Sequence, residues 1–385
     1  MKQLRRRALA VLLILCLLVP AVQAAPPEVK GKSAVLMDAA TGTILFESNA
    51  HEKLAPASVT KVMTMLLIME AIDSGALGWN DQVTASEAAA AKGGSQIYLK
   101  VGETMSVTDM LKSIAVSSAN DCACAMAEHL AGSESAFVDR MNQRAKELGM
   151  EDTNFVNCTG LDDGENAAQH RTSAYDIALM SRELLTRHPD IKKFTTIWMD
   201  TVRGGAFGLS NTNKLIRFYS GATGLKTGFT SGAGHCLSAS ACREGMELIA
   251  VVMGCASSQE RFDTCRTLLD YGFATYALVD AQPEQTAVPV RLGQDGTVTA
   301  VAGEATQLLV EKLQKGSVTA ETVLEEYVTA PVSRGQRLGT LVIRAGDQVL
   351  RQIPLVAERE VLRLSTGELF LRLLKRVAMV KPAES

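Results

Sequence analysis

The chain has 385 residues, of which 47% are hydrophobic, and a formal net charge of −3 at pH 7. This length favours two domains, and the hydrophobic fraction is sufficient for well-packed cores. The acidic balance, the lack of a basic domain and an aromatic fraction of only 5% argue against a nucleic-acid-binding protein, so we expect no nucleic-acid partner.

The N-terminal segment has the pattern of a secretory signal peptide. Basic residues between Lys2 and Arg7 precede an apolar run at 8–19, and small residues up to Ala24 form a cleavage pattern. We expect a signal peptide over residues 1–24 and an exported protein. The alternative is an uncleaved anchor, although the apolar run is shorter than the roughly 20 residues that a membrane span needs.

A β-hairpin and several helices are predicted in the first half of the chain. The hairpin has two apolar segments around a turn at Gly42, and the first helix begins near Ser58 and ends before Gly75. The predicted segments are strands at 33–38 and 43–47, and helices at 58–72, 106–115, 122–130, 134–148 and 172–186.

Three adjacent strands of one sheet are predicted next, at 223–229, 233–241 and 246–253. The last of them is almost entirely apolar, which is typical of a well-buried strand. A helix is predicted over residues 257–277. We expect these elements to complete a first domain over residues 25–280.

The composition changes after Asp280, where Pro283 and Pro289 appear and helical periodicity mostly stops. Turn residues such as Asp295-Gly296 separate strand-like segments, which is typical of hairpins. We predict a small β domain over residues 281–357, with hairpins formed by 288–292 with 297–301 and by 338–344 with 348–353.

Residues 358–385 have the pattern of a basic amphipathic helix. Apolar and basic residues recur at helical spacing, the apolar ones being Leu369, Phe370, Leu373, Leu374, Val377 and Val380, and the basic ones Arg372, Lys375, Arg376 and Lys381. This pattern is typical of an interfacial membrane anchor, so we expect the protein to bind a membrane surface. The alternative is an ordinary helix that packs on the β domain.

Ser58 and Lys61 are a candidate catalytic pair. Residues three apart share one face of a helix, and the mostly apolar run at 62–68 should partly bury the Lys61 amine beside the Ser58 hydroxyl. An amine whose pKa is lowered by burial can take the proton of a serine nucleophile. A serine at the start of a helix is also a common N-cap, so this pair alone leaves both interpretations open.

Two further motifs follow in the chain. Ser118-Ala119-Asn120 is the only Ser-x-Asn sequence, and Lys226-Thr227-Gly228 is the only Lys-Thr-Gly sequence. With the single Ser-x-x-Lys at 58–61, they occur in the order of the three motifs of penicillin-recognising serine enzymes. Each motif by itself is weak evidence for such an enzyme. The three together, in this order and on a predicted helix, loop and strand, are strong evidence.

On these motifs the chain resembles the D-alanyl-D-alanine carboxypeptidases, the low-molecular-mass penicillin-binding proteins, over nearly its whole length. The local sequences at 56–61, 157–162 and 224–228 support the resemblance, as does the pair Ala233-Gly234. It implies an α+β fold, with an antiparallel sheet flanked by helices and an active site between this sheet and an all-helical region. A small C-terminal β domain and a terminal amphipathic helix complete the implied architecture.

The resemblance also implies roles for the first two motifs. Ser58 would attack the carbonyl between two D-alanines and form an acyl-enzyme, with Lys61 as the general base. Ser118 would relay a proton towards the leaving D-Ala amine. Asn120 would hold the substrate amide and position Lys61.

The third motif would bind the end of the substrate. Lys226, with Thr227 and Gly228 of the same motif, would meet the terminal carboxylate, for which a lysine supplies the counter-charge. By the same resemblance, the backbone N–H groups of Ser58 and Phe229 would form an oxyanion hole.

The function implied is removal of the terminal D-alanine from peptidoglycan pentapeptide stems, at the outer face of the cytoplasmic membrane, with inhibition by β-lactams. A β-lactamase of the same fold group is one alternative. No Glu-x-x-x-Asn element follows Ser118-Ala119-Asn120, however, and the extra β domain also argues against it. An inactive penicillin-binding or wall-binding protein is the other.

No cofactor or metal is expected. The cysteines lack CxxC spacing, and His51, His129, His170 and His188 lack the spacing of metal ligands. His235 and Asp162-Asp163 are expected to be structural. Seven cysteines remain after the predicted cleavage, of which several should be buried, and Cys122 and Cys124 could lie near the active site.

Overall fold

A computed structural model describes residues 27–378, except residues 163, 165 and 285 and the side chains of residues 376–378. The predicted signal peptide lies outside the described residues, as do Asp163, Val380, Lys381 and the side chains of Arg376 and Val377. The chain forms two compact units, divided between Thr275 and Tyr276.

A five-stranded antiparallel sheet is the centre of the first unit. The strands of this unit are β1 (Ser33–Asp38), β2 (Ile44–Ser48), β3 (Gln82–Thr84), β4 (Thr104–Ser106), β5 (Met199–Val202), β6 (Phe207–Ser210), β7 (Ala222–Thr230), β8 (Gly234–Arg243) and β9 (Met246–Cys255). The order across the sheet is β2-β1-β9-β8-β7, which leaves β7 at one edge. The predicted hairpin and the three adjacent strands are therefore confirmed.

Helices cover both faces of this sheet. The helices of the first unit are α1 (Lys61–Asp73), α2 (Glu87–Ala90), α3 (Val107–Ser117), α4 (Asn120–Ala131), α5 (Glu134–Glu147), α6 (Ala174–Arg187), α7 (Lys192–Thr195), α8 (Leu215–Phe218) and α9 (Ser258–Thr275). Ser181 in α6 hydrogen-bonds Ser238 in β8, whereas a Cβ at Gly272 in α9 would lie 2.5 Å from Leu248 in β9. Ser238 pairs with Val251, three residues from Leu248, so these helices lie on opposite faces.

Helix α1 is the centre of an all-helical region that also contains α3, α4 and α5. Its apolar side chains from Val62 to Met69 are buried, apart from Leu67, which is partly buried. A helix that is apolar on nearly every side is typical of one enclosed by other elements. The sheet with its helices and this helical region confirm the predicted α+β fold.

Two boundaries differ from the sequence-based prediction. Ser58 lies on a separate 3₁₀ turn, Ala57–Thr60, and α1 begins only at Lys61. The long helix predicted over 257–277 ends at Thr275, and Tyr276–Asp280 is a strand instead. This strand pairs with residues about 30 positions later in the chain, a non-local contact that outweighs the local helical periodicity.

The second unit is mainly β-structure. Its strands are β10 (Tyr276–Asp280), β11 (Ala287–Arg291), β12 (Thr297–Ala302), β13 (Gln307–Glu311), β14 (Val318–Leu324), β15 (Val328–Thr329), β16 (Arg337–Ala345) and β17 (Gln348–Ala357). Six of them form one sheet in the order β14-β16-β17-β12-β11-β15, and β10 pairs with β13. Both predicted hairpins, β11 with β12 and β16 with β17, are confirmed.

A final helix, α10 (Thr366–Ala378), follows the β-structure of the second unit. The Arg372 guanidinium donates hydrogen bonds to the carbonyls of Gly293 and Gln294, while Phe370 and Leu373 remain 63% and 54% exposed. Within the described part of the chain, no helix has the length and apolar character needed to cross a membrane.

Candidate active site

The turn that carries Ser58 is held in one conformation by a loop from a distant part of the chain. Ala57 has a φ of +48°, an uncommon value for a residue with a side chain. Gly160 packs directly on this turn, because a Cβ at Gly160 would lie 1.8 Å from the Ala57 carbonyl oxygen. Only glycine fits at this approach, and the Gly160 φ of +82° gives a second reason for glycine.

Lys61 lies directly beside the Ser58 hydroxyl. Its Nζ is 2.9 Å from Ser58 Oγ and donates to the Thr159 carbonyl at 2.8 Å. The side chain is fully buried, and this burial lowers the Lys61 pKa to about 7, against opposing effects of Cys158 and Asp121. A large fraction of Lys61 is therefore neutral near pH 7 and able to accept the serine proton.

The Ser58 hydroxyl does not cap a helix. The residue before α1 is Thr60, and neither Thr60 nor the residue before the 3₁₀ turn makes a capping hydrogen bond through its side chain. The sequence left two interpretations of Ser58 open, a catalytic serine and a helix N-cap. The geometry does not support the N-cap.

The second motif follows α3. Ser118 ends this helix in the left-handed conformation, with φ +64°, and Asn120 begins α4. Asn120 Nδ2 donates to the Gly93 carbonyl at 2.7 Å. Ser118 Oγ and Asn120 Oδ1 are buried and have no hydrogen-bond partner among the described residues. Buried polar atoms without partners are rare, and at this position they are available to a substrate.

The third motif lies on the edge strand β7. A Cβ at Gly228 would lie 2.6 Å from the Pro56 carbonyl oxygen and 3.1 Å from the Ser58 nitrogen, so β7 passes directly against the serine turn. Thr227 Oγ1 donates to Thr212 Oγ1 at 2.7 Å. The Thr212 N–H in turn donates to the carbonyl of Val116, close to Ser118. This chain of hydrogen bonds connects the third motif to the second.

Three basic side chains near the serine turn, Lys61, Lys226 and Arg261, act on one another without an ion-pair partner among the described residues. Lys226 is 1% exposed, and its Nζ donates to the Thr227 carbonyl at 3.0 Å. Burial first, and then the positive charges of Lys61 and Arg261, hold the Lys226 pKa well below its ordinary value. Arg261 Nη1 donates to the Gly228 carbonyl at 3.0 Å. None of the three forms a salt bridge with any residue that the structure describes, so the site is suited to an anionic ligand.

His170 supports the serine turn, a contact that the sequence analysis missed. The Val156 N–H donates to Nδ1 at 3.1 Å, so Nε2 carries the proton and donates to Thr60 Oγ1 at 2.7 Å. Thr60 Oγ1 then donates to the Ala57 carbonyl. Burial lowers the His170 pKa to about 4, which keeps the ring neutral. No spacing signal could indicate a contact across 110 residues of chain.

The remaining candidates make packing contacts. His235 stacks on the exposed Phe229 ring with centroids 4.3 Å apart. Cys122 and Cys124 are buried, and the seven cysteines of the described part are free thiols. In that same part of the chain, no three His, Cys, Asp or Glu side chains are placed to hold a metal ion.

Two family profiles match this sequence. One, described as D-alanyl-D-alanine carboxypeptidase, peptidase S11, matches residues 20–257. The chain belongs to the D-alanyl-D-alanine carboxypeptidase family. A second profile, described as penicillin-binding protein 5, C-terminal domain, matches residues 273–363.

Individual relatives of this carboxypeptidase agree with that membership. It is 42% identical to D-alanyl-D-alanine carboxypeptidase DacF of Bacillus subtilis over 354 residues, covering 90% of this chain and 89% of that protein. It is 34% identical to DacC of Escherichia coli, covering 87% and 85% of the two chains. The predicted family and enzyme activity are therefore confirmed.

Solved structures show the same fold. Penicillin-binding protein 5 from Haemophilus influenzae matches with a TM-score of 0.75 at 29% identity, over 89% of this chain and all of that one. Penicillin-binding protein D2 from Listeria monocytogenes, in its ampicillin-bound form, matches with a TM-score of 0.58 at 31% identity, over 64% of this chain and 98% of that one. The individual residue roles and the domain bounds stay predictions.

Proposed function

We propose that this carboxypeptidase removes the terminal D-alanine from peptidoglycan pentapeptide stems through an acyl-enzyme on Ser58. The observation that carries the proposal is the 2.9 Å hydrogen bond between Lys61 Nζ and Ser58 Oγ. It joins a hydroxyl to a buried amine whose pKa of about 7 suits it to act as a base near neutral pH.

The proposed reaction has two steps. Neutral Lys61 takes the Ser58 proton as Oγ bonds to the carbonyl carbon between the two D-alanines. The carbon–nitrogen bond then breaks, and the proton passes through Ser118 to the amine of the departing D-alanine. Water hydrolyses the ester in the second step. The backbone N–H groups of Ser58 and Phe229 would stabilise the oxyanion, and each such donor typically contributes a few kcal/mol.

The terminal carboxylate of the substrate would bind at Lys226 and Thr227. An incoming carboxylate supplies the negative charge that Lys226 and the neighbouring Arg261 lack, and it should raise the lowered Lys226 pKa on binding. Since β7 is an edge strand, an extended peptide can also hydrogen-bond along it. The buried Asn120 Oδ1, which has no partner among the described residues, is available to a substrate amide.

β-Lactams should acylate the same serine. The Listeria relative is known in an ampicillin-bound form, and the same attack by Ser58 on a β-lactam carbonyl would leave a slowly hydrolysed acyl-enzyme. A β-lactamase would instead release the product rapidly. Trapping rather than turnover of a fluorescent penicillin therefore separates the two activities.

The carboxypeptidase activity itself has a direct test. Purified wild type should release D-alanine from a peptide that ends in D-Ala-D-Ala, and Ser58→Ala should release none and should not be labelled by fluorescent penicillin. Labelling without D-alanine release by wild type would favour the inactive penicillin-binding alternative. Labelling of Ser58→Ala would exclude Ser58 as the nucleophile.

We further propose that the protein is exported and held at the outer face of the cytoplasmic membrane. In this proposal residues 1–24 are the signal peptide, 25–280 the catalytic domain, 281–357 the β domain and 358–385 the anchor. The exposed Phe370, Leu371, Leu373 and Leu374 on α10, with Lys375 beside them, are the surface expected of an interfacial helix.

Truncation after Ser365 tests the anchor. Val361 belongs to the core of the second unit and the Leu364 N–H donates to the Leu292 carbonyl, so both should be retained. The truncated protein should leave the membrane fraction and keep its soluble activity. Leu313→Ser, at an exposed leucine outside the helix, is the matched control and should not release the protein.

A further inference from the structure

We infer that Glu134, ion-paired with Lys92, is a positioning residue for the base Lys61. It acts through the peptide segment that joins Cys158 to Thr159. The inference rests on the proposed function, in which Lys61 accepts the Ser58 proton, and it adds a charge pair outside the three motifs to that machinery.

Both carboxylate oxygens of Glu134 are engaged. Oε2 lies 2.6 Å from Lys92 Nζ, and the two side chains are only 23% and 24% exposed. Oε1 accepts hydrogen bonds from the Cys158 backbone N–H at 3.2 Å and from the Cys158 thiol at 3.1 Å. Glu134, at the start of α5, therefore holds the N–H side of the segment that passes behind Lys61.

The carbonyl side of the same segment is held by α1. Thr64 Oγ1 donates to the Cys158 carbonyl at 2.7 Å, and Lys61 Nζ donates to the next carbonyl, that of Thr159, at 2.8 Å. Lys61 and Thr64 lie one turn apart on one helix face. The carbonyl that orients the Lys61 amine thus belongs to a segment fixed between α1 and the Glu134 carboxylate.

Capping of α5 does not account for these contacts. Ser133 already caps α5 by accepting from the Ala136 N–H. Despite burial, which acts in the opposite direction, the hydrogen bond and charge of Lys92 hold the Glu134 pKa below its ordinary value. The carboxylate is therefore ionised at neutral pH, and its charge is balanced by Lys92 alone among the described cations in salt-bridge range.

Substitution can remove either charge of the Glu134–Lys92 ion pair and leave the other without its counter-charge. Cys158, Asp121, Lys226 and His170 are the other titratable groups that act on Lys61, and Cys124 and Cys158 face Glu134. Cys158 also depends on Glu134, because its thiol donates to the Glu134 carboxylate. Glu134→Gln leaves the Lys92 charge unbalanced and should lower the Lys61 pKa. Lys92→Met leaves the carboxylate unbalanced and should raise it.

The test is the pH dependence of the acylation rate constant with fluorescent penicillin. We expect the acid limb to move to lower pH in Glu134→Gln and to higher pH in Lys92→Met, by about half a pH unit each, and to return near the wild-type position in the double variant. At pH 6 this is about a threefold faster and a threefold slower acylation. Glu134→Ala, which also removes the acceptor for the Cys158 N–H, should slow acylation at least about tenfold.

Glu70→Gln is the matched control. It breaks an ion pair of similar exposure, Glu70 of α1 with Arg144 of α5 at 2.7 Å, whose arginine also pairs with Glu147 and Glu183. Glu70 is nine residues from Lys61, about 13 Å along the helix. The acid limb of Glu70→Gln should coincide with that of wild type. This should hold even if the variant's melting temperature falls as far as those of the Glu134 and Lys92 variants.

Different results would overturn different statements. If Glu134→Gln and Lys92→Met are folded and both keep the wild-type acid limb, the charge effect on Lys61 is wrong, and if folded Glu134→Ala also acylates at the wild-type rate, the positioning role is wrong. The charge effect is also wrong if both limbs move in one direction. If instead Ser58→Ala is still labelled, the proposed function fails, whatever the behaviour of the charge pair.

Discussion

The two units of this carboxypeptidase bury very different side chains. In the first unit Lys61, Lys226 and Asn120 are at most 1% exposed, and polar atoms of the second motif have no partner in the described structure. In the second unit the only buried polar side chain among the described residues is that of Thr306. Buried charge is costly, so its concentration around Ser58 marks a site selected for chemistry rather than for stability.

The second unit places its unusual feature on the surface instead. Alternating buried and exposed residues on its strands give an ordinary apolar core, and the exposed apolar side chains of α10 stand apart from that core. The two functions proposed for this chain therefore depend on opposite kinds of side-chain placement. Catalysis uses buried basic residues, and membrane binding uses exposed apolar residues.

The largest effect is expected from Lys61→Met. Removal of the base should reduce acylation by fluorescent penicillin at least about a thousandfold, because Ser58 then has no acceptor for its proton. The melting temperature should be no lower than that of wild type, since the variant no longer buries an amine. A marked fall in melting temperature would instead give Lys61 a structural role and would weaken the contrast between the units.

Gly160→Ala should be the next most damaging change. The added Cβ would lie 1.8 Å from the Ala57 carbonyl oxygen, so the serine turn must move or the loop must detach. We expect acylation to fall by about a hundredfold, since small displacements of reacting groups have effects of this size. Gly245→Ala, at a turn with positive φ and nothing near the added Cβ, is the control for backbone strain alone, and it should retain acylation.

A large-to-small substitution in the core of the second unit should lower stability without changing catalysis. Ile353 is fully buried in that core, so Ile353→Ala should lower the free energy of unfolding of the unit by about 2–5 kcal/mol. Denaturant unfolding measures this loss. The acylation rate constant should stay within twofold of wild type, and a larger change would show that the site depends on the second unit.

The local part of the site could be predicted from the sequence, and the supporting part could not. Spacing places Lys61 beside Ser58, and the apolar run of β9 indicates a buried strand. Gly160, however, meets Ala57 across about a hundred residues, and His170 meets Thr60 across 110. Neither contact follows from periodicity or turn chemistry. The sequence therefore predicts a regular helix at the serine turn, whose 3₁₀ form depends on such contacts.

The smallest effect concerns the contact between the third and second motifs. Thr212→Val removes the acceptor for the Thr227 hydroxyl, a hydrogen bond that typically contributes about 0.5–1.5 kcal/mol. We expect KM for the D-Ala-D-Ala peptide to rise a few-fold with little change in kcat. Steady-state kinetics test this, and an unchanged KM would show that Thr227 does not depend on this support.

The central claim is that Lys61 is the base that activates Ser58, and the pH profile of wild-type acylation tests it most directly. Because the neutral amine is the active form and its pKa is about 7, the acylation rate constant should rise about tenfold per pH unit below pH 7 and level off above it. A profile that is flat from pH 5 to pH 8, or one that levels off only near pH 10, would contradict the account.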